Sequence, residues 1–163
     1  MDEELLRFQT DDLIVRVAPE VQGIWQGHRQ DRFYKRETCG VLIGYCLDSF
    51  KEFRIENVTT PGWADKLARY SFLLRDPRHQ RTVDNAHART KGTSVYLGTW
   101  HTHPQKIPVP SHVDERDWRE CMARNRDRRL FFVIVGLEAI SMYTAKGSAF
   151  VRLTQDYEAI RNG

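Results

Sequence analysis

The chain has 163 residues, of which 40% are hydrophobic and 29% charged, the composition of an ordinary globular domain with one hydrophobic core. The net charge of +3 is too small to indicate a nucleic-acid ligand, and no apolar stretch approaches the roughly 20 residues that span a bilayer. The three cysteines form no CxxC pair and the acidic N-terminus does not resemble a signal peptide, so we predict one cytoplasmic domain over residues 1–163.

The N-terminal half is predicted to contain three strands and one helix. The strands are predicted from alternating or uniformly apolar runs at residues 13–17, 41–47 and 53–58. Pro19 suits the first turn of a helix, and the apolar periodicity that follows it extends this helix to about Gln30.

The C-terminal half is predicted to alternate helices and strands before it continues as consecutive strands. Helices are predicted at residues 77–89, 111–126 and 155–160. Strands are predicted at residues 94–100, 130–135, 139–144 and 150–153. The second of these helices carries Val113 and Trp118 on its apolar stripe. Early alternation followed by strands in sequence predicts a mixed α/β fold, in which helices flank a curved sheet.

The segment from Gly98 to Asp114 carries most of the functional information. His101 and His103 stand two residues apart at the end of a predicted strand. Alternate strand residues share a face, so both imidazoles project together. A proline-rich loop then leads to Ser111 and Asp114 at the start of a predicted helix. Two imidazoles and one carboxylate make a three-ligand zinc set with a fourth position for water, which is typical of hydrolytic zinc sites.

Each part of this pattern also has a purely structural explanation. A His-x-His pair is common on strands that bind no metal, and the prolines also fit a stiff connecting loop. Ser111-x-x-Asp114 fits a capping box, in which Ser111 caps the helix and Asp114 lies near its positive end. The two explanations are compatible, because a cap fixes where the helix begins and therefore where the Asp114 carboxylate points.

Glu37 is the candidate general base for such a site. It precedes the predicted strand at residues 41–47, and a carboxylate beside a buried strand is costly unless it has a partner. An exposed position at the start of the strand is the alternative. Cys39 lies on the same face two residues later, which leaves a Cys–His protease conceivable, although a small buried thiol is the more common role.

Together these residues resemble a known motif. Glu37-Thr-Cys-Gly-Val-Leu-Ile-Gly, then His101-x-His103, seven residues and Ser111-x-x-Asp114, is similar to the JAMM motif of the JAB/MPN metalloprotease family at every position. The order of strands and helices also resembles the MPN fold over nearly the whole chain. The resemblance implies a single MPN/JAB-like domain over residues 1–163.

The resemblance also implies a role for each residue of the motif. His101, His103 and Asp114 would bind one Zn²⁺ ion. Glu37 would act as general base on the zinc-bound water and then pass its proton to the leaving amine. Ser111 would help to stabilise the oxyanion of the tetrahedral intermediate. These roles agree with the general chemistry of hydrolytic zinc sites.

The family implies a protein substrate. Its members typically cleave the isopeptide or peptide bond after the C-terminal tail of a ubiquitin-like or otherwise conjugated protein. The short form of this chain is similar to stand-alone bacterial JAB peptidases encoded beside E1- and E2-like proteins. Among these it resembles the deconjugating isopeptidases of CBASS anti-phage operons, which release a cyclic-nucleotide synthase from its conjugates. An E1/E2-like conjugation system is therefore the expected functional partner.

The sequence can be compared with two other functions. Many MPN domains have lost the motif and serve as scaffolds. The intact motif argues against that role, but a chain that is active only in complex with a partner stays open. A zinc nucleobase deaminase would carry H-x-E and P-C-x-x-C signatures, and neither occurs here.

Overall fold

The computed structural model describes residues 4–67, 72–73 and 76–159, and these residues form a mixed α/β fold. The strands are β1 (Glu4–Thr10), β2 (Leu13–Val17), β3 (Cys39–Asp48), β4 (Glu52–Val58), β5 (Lys66–Leu67), β6 (Phe72–Leu73), β7 (Val95–Thr102), β8 (Phe131–Val135), β9 (Ile140–Lys146), β10 (Ala149–Arg152) and β11 (Thr154–Ala159). The helices are α1 (Pro19–Gly27), α2 (Arg78–Arg89) and α3 (His112–Arg124).

Nine of these strands form one sheet in the order β10-β9-β8-β7-β3-β4-β2-β1-β11. The pairs β7–β8 and β2–β4 are parallel, and the other neighbours are antiparallel. Only Leu153 separates β10 from β11, although the two strands lie at opposite edges of the sheet. Because one residue joins strands at the two edges, the sheet must curve until these edges lie close together. The amide of Leu153 donates to the carbonyl of Met142 in β9 at this junction.

The helices cover the two faces of this curved sheet. Val21 and Trp25 of α1 are fully buried in the larger core on one face. Trp118 of α3 stacks on Phe132 on the other face, with ring centroids 4.9 Å apart, and α2 packs beside it through Ala86. Both faces of the central strands are therefore buried, which explains why β8 is apolar at every position.

This arrangement confirms most of the predicted elements and corrects the end of α1. The helix was expected to continue to about Gln30, but it ends at Gly27. His28 satisfies the free carbonyls there, because its backbone amide and its Nδ1 both hydrogen-bond to the carbonyl of Ile24. The chain therefore leaves the helix early, and Gln30 turns into the interior, where 1% of its surface is exposed.

The predicted helix at residues 155–160 is wrong. Residues 154–159 form strand β11, which pairs antiparallel with β1, a strand that the sequence patterns did not reveal; Ile160 lies outside the described residues. The polar composition of β11 suits a sheet edge as well as a helix, and pairing with a distant strand decides between them. Adjacent Leu5 and Leu6 break the strict alternation that would have marked β1.

A smaller correction concerns α3. Trp118 is buried as predicted, whereas Val113 is 52% exposed and does not belong to the apolar stripe. Across the described ranges of the chain, no helix is both long and apolar enough to cross a membrane.

Candidate metal centre

The pairing of β3 with β7 brings the predicted base to the predicted metal ligands. The register places Cys39 opposite His101, so the residues just before β3 lie beside the C-terminal end of β7. Glu37 and His101 are each 1% exposed, which excludes the alternative of an exposed carboxylate. Asp114 reaches the same point from the first turn of α3. Ligand atoms of Glu37, His101, His103 and Asp114 all lie within 4.8 Å of one another.

The helix cap holds Asp114 toward the histidines. Ser111 Oγ accepts a hydrogen bond from the Asp114 amide at 3.1 Å, and Asp114 Oδ2 accepts one from the Ser111 amide at 2.8 Å. This reciprocal pair is a capping box, so the structural explanation of Ser111-x-x-Asp114 is confirmed. The capping interaction and the metal-ligand arrangement use the same carboxylate in one orientation.

The proline-rich loop between His103 and Ser111 is fastened to the β8–β9 turn. The Leu137 amide donates to the carbonyl of Gln105 at 2.7 Å, and Ser141 Oγ donates to the carbonyl of Pro108 at 3.0 Å. A Cβ atom at Gly136 would lie 2.5 Å from Pro108 Cδ, so only glycine permits this close approach. The loop is a rigid spacer that sets the position of α3 relative to the two histidines.

The distances within the cluster match a tetrahedral zinc shell. The Nε2 atoms of His101 and His103 lie 3.1 Å apart. Asp114 Oδ1 lies 3.3 Å from His101 Nε2, and Asp114 Oδ2 lies 3.3 Å from His103 Nε2. Ligands bound at about 2.0–2.1 Å from a tetrahedral zinc are themselves about 3.3 Å apart. The separations between these groups are of this size, with each histidine facing a different oxygen of the Asp114 carboxylate.

Glu37 lies slightly outside this three-ligand set. Its Oε1 is 3.5 Å from His103 Nε2 and 3.8 Å from His101 Nε2. Within the described part of the chain, its Oε2 is buried without a hydrogen-bond partner. Burial, reinforced by the negative charge of Asp114, raises the pKa of Glu37 to about 8. Two buried carboxylates this close suit a site in which a cation offsets their repulsion.

The protonation states of the candidate ligands also suit a metal. Burial lowers the pKa of His101, which favours the neutral imidazole that metals bind. Burial opposes ionisation of Asp114, but hydrogen bonds from His101, His103 and the Ser111 amide outweigh it and hold the pKa of Asp114 far below its usual range. A neutral imidazole and an ionised carboxylate are the forms required of zinc ligands.

Two neighbouring residues take different roles. Ser111 is exposed at the rim, and because its Oγ accepts from the Asp114 amide, its hydroxyl hydrogen can point toward another acceptor. Cys39 is fully buried, and burial, with the nearby charges of Asp65 and Glu37, raises the pKa of its thiol. A buried neutral thiol is a poor nucleophile, so the structure supports the small-core interpretation of Cys39.

Sequence reasoning missed the polar residues behind the site. His79, which showed no ligand spacing, hydrogen-bonds to Asp65 through Nε2 and to Thr59 through Nδ1. Thr59 in turn accepts from the amide of Val41 in β3 and the indole of Trp100 in β7. Trp100 thus faces away from the histidines, as their alternation predicted. No sequence pattern marks such a network, because its bonds join residues that are 14 to 41 positions apart in the chain.

Comparison with known families decides what kind of protein this is. The profile described as prokaryotic homologs of the JAB domain matches residues 22–152, most of the chain and all of the candidate site. The chain belongs to this family. The predicted JAB/MPN-like fold and the family resemblance are thereby confirmed.

Similar proteins carry an isopeptidase name. The JAB-family chain is 33% identical to the CD-NTase/cGAS isopeptidase of Vibrio cholerae serotype O1 over 83% of its length and 84% of that protein. It is 37% identical to the protein of the same name from Pseudomonas aeruginosa, over 69% of this chain and 70% of the relative. A solution structure from Desulfitobacterium hafniense superposes with a TM-score of 0.59 at 22% identity, covering 83% of this chain and 87% of the other, and supports the fold alone.

Proposed function

We propose that this JAB-family protein is a zinc-dependent isopeptidase that hydrolyses the bond after the C-terminal tail of a conjugated protein. One observation carries the proposal: a buried carboxylate, Glu37, lies beside three groups with the identity and spacing of zinc ligands. An open three-ligand site with an adjacent base is an arrangement for hydrolysis, because structural zinc sites use four protein ligands.

His101, His103 and Asp114 would hold the metal. When bound, zinc supplies a water of lowered pKa and polarises the scissile carbonyl. Strand β7 brings the two imidazoles together and the capping box holds the Asp114 carboxylate, so the backbone positions these groups without help from the substrate.

Glu37 would move the proton. Its Oε1 stands beside the ligand set rather than in it, which is where an attacking water would be held. The carboxylate accepts the proton of that water and delivers it to the nitrogen of the leaving amine. A carboxylate in a buried site has a pKa nearer to neutrality, and this suits a group that must both take up and release a proton.

Ser111 would stabilise the negative charge that develops on the carbonyl oxygen of the substrate. Its position at the N-terminus of α3 places a hydroxyl donor and the positive end of a helix on the same side of the site. Donation from the Ser111 hydroxyl to the carbonyl oxygen stabilises the oxyanion in the transition state.

The proposed substrate is a conjugated nucleotidyltransferase. Relatives at 31–37% identity are named CD-NTase/cGAS isopeptidase, and this chain retains the full site. We place the protein in the bacterial cytoplasm, as part of a CBASS anti-phage system whose E1/E2-like proteins make the conjugates that it removes.

Cleavage of a reporter tests this function. A CD-NTase tail fused to a reporter protein should be cleaved by the purified chain, the cleavage should stop with 1,10-phenanthroline, and added Zn²⁺ should restore it. If added Zn²⁺ does not restore cleavage by the chelator-treated enzyme, the proposed requirement for zinc is wrong. A parallel reaction containing the E1/E2-like proteins distinguishes an autonomous enzyme from one that is active only in complex: in the second case, cleavage occurs only in that reaction.

A further inference from the structure

One buried hydroxyl joins the segment just before β3, which carries the candidate base, to the C-terminal end of β7, where the two histidines lie. Thr102 lies between His101 and His103, faces the opposite side of the sheet and is fully buried. Its Oγ1 accepts a hydrogen bond from the Thr38 amide at 2.9 Å, and its own amide donates to the Thr38 carbonyl at 2.9 Å. Thr38 directly follows Glu37, so these bonds act one residue away from the base and one residue from each histidine.

Gln30 completes this arrangement from 72 residues away. Thr102 Oγ1 donates to Gln30 Oε1 at 3.0 Å, and Gln30 Nε2 donates to the carbonyl of Lys35 at 3.3 Å. The direction of each bond is fixed, because a backbone amide can only donate and a carbonyl can only accept. Gln30 thus orients the Thr102 hydroxyl so that a lone pair of its oxygen faces the Thr38 amide. Through the carbonyl of Lys35, Gln30 also contacts the segment that leads into Glu37.

The carboxylate of Glu37 needs this support from its backbone. Its Oε1 lies 3.5 Å from His103 Nε2 and 3.8 Å from His101 Nε2, and its Oε2 is buried without a hydrogen-bond partner within residues 4–67, 72–73 and 76–159. A carboxylate with one oxygen unbonded depends strongly on its backbone for its position. A displacement of about 1 Å at such a group can cost on the order of 100-fold in rate.

We propose that Gln30 is a positioning residue for Glu37, acting through the Thr102 hydroxyl and the Thr38 amide. This proposal rests on the proposed function, in which Glu37 is the base. We expect the fold to survive loss of Gln30, because β3 and β7 are also paired from Cys39 to Gly44 and Thr59 joins them through Val41 and Trp100. Loss of the Gln30 contacts therefore releases Glu37 locally and leaves the sheet in place.

The experiment compares near-isosteric variants that remove the side-chain hydrogen bonds of one residue at a time. Gln30→Met keeps the length of the side chain without its amide, and Thr102→Val keeps the shape without the hydroxyl. Thr102→Ser restores the hydroxyl, and Gln26→Met on the exposed side of α1 is the matched control. Measured quantities are kcat, KM, zinc content, and hydrogen exchange of the Thr38 amide in zinc-loaded protein.

A positioning role for Gln30 predicts a specific pattern of changes in kinetics, zinc content and hydrogen exchange. Gln30→Met and Thr102→Val lower kcat by about 10- to 100-fold, change KM by less than about twofold, and keep the zinc content of the wild type. The Thr38 amide exchanges at least about tenfold faster in both variants, while amides of β8 keep their protection. Thr102→Ser and Gln26→Met keep the wild-type kcat and exchange.

Two results would overturn the proposal. The first is a wild-type kcat in Gln30→Met. The second is a loss of activity in proportion to a loss of zinc, with kcat per bound zinc unchanged, because that result would make Gln30 a structural residue only. If the wild-type chain cleaves no tail, the proposed function fails separately, and exchange of the Thr38 amide then decides alone whether Gln30 holds this segment. Unchanged exchange at Thr38 in Gln30→Met would refute the contact.

Discussion

At the scale of single residues, burial gives two neighbouring ionisable groups different chemistry. Glu37 and Cys39 are both almost completely buried on the same stretch of chain, and burial raises the pKa of each. For the carboxylate, the raised pKa of about 8 makes proton exchange near neutral pH possible. For the thiol, the shift is in the direction that removes the thiolate, so Cys39 is left as a small apolar side chain.

Thiol titration checks the assignment of Cys39. Cys46 is exposed, Cys121 is half-buried with a pKa raised by burial, and Cys39 is buried. In native protein we expect one fast thiol with Ellman's reagent, a slower second one, and a third only after denaturation. Cys46→Ser should remove the fast phase. A fast phase that persists in this variant would contradict the burial of the other two thiols.

At the scale of elements, the first turn of α3 serves stability and chemistry together. Ser111 caps the helix and is the proposed oxyanion donor, while Asp114 completes the cap and is a proposed metal ligand. Both capping hydrogen bonds therefore also fix the geometry of the site. Removal of the Ser111 hydroxyl should affect the free energy of unfolding and kcat by different physical routes.

Substitution at Ser111 separates these routes. Ser111→Ala should lower the free energy of unfolding by about 1 kcal/mol through loss of the cap. It should also lower kcat by about 100-fold or more through loss of the donor. Ser111→Thr keeps a hydroxyl and should retain most of both. Urea denaturation and steady-state kinetics provide the two measurements, and an unchanged kcat in Ser111→Ala would exclude the oxyanion role.

Elements with strong local patterns could be predicted from the sequence, and those decided by distant contacts could not. Alternation or continuous apolarity predicted the strands that lie in the core, and capping residues predicted α3. Strand β11 is polar and exists because β1, at the other end of the chain, pairs with it. The end of α1 depended on His28 bonding back to Ile24.

The same contrast applies to the site. The residues from His101 to Asp114 could be recognised from their spacing, and Glu37 from its place before a buried apolar strand and its match to the family motif. Gln30 could not be recognised, because a buried amide acting on Thr102 from 72 residues away leaves no spacing to read. Positioning by a neighbour, as in the Ser111–Asp114 capping box, leaves a local pattern, whereas positioning by a distant residue such as Gln30 leaves none.

At the scale of the whole molecule, the stability of the zinc-free protein should depend on Glu37. The pKa of this carboxyl rises from 4.5 to about 8 in the folded state. The folded state therefore binds this proton more tightly than the unfolded state does. Protonation of Glu37 stabilises the fold fully below pH 4.5, and this stabilisation is lost as the pH rises through about 8. Ionisation of this buried group costs about 5 kcal/mol relative to the unfolded chain.

Urea denaturation of the zinc-free protein at pH 5 and pH 8.5 measures this effect. The wild type should lose stability between these pH values, and the isosteric Glu37→Gln variant should lose much less, since its amide does not titrate. Added Zn²⁺ should reduce the difference, because a nearby cation stabilises the ionised carboxylate. An identical pH dependence in wild type and variant would show that Glu37 is not a buried acid.

The proposed active site is an assembly of base and ligands to which three separate parts of the chain contribute. It is tested most directly by the rate of tail cleavage per bound zinc in Glu37→Gln, with Glu20→Gln on the exposed start of α1 as control. We predict about one zinc ion per chain in both variants, wild-type cleavage in Glu20→Gln, and a loss of at least about 100-fold in Glu37→Gln. Undiminished cleavage by zinc-loaded Glu37→Gln would contradict the account.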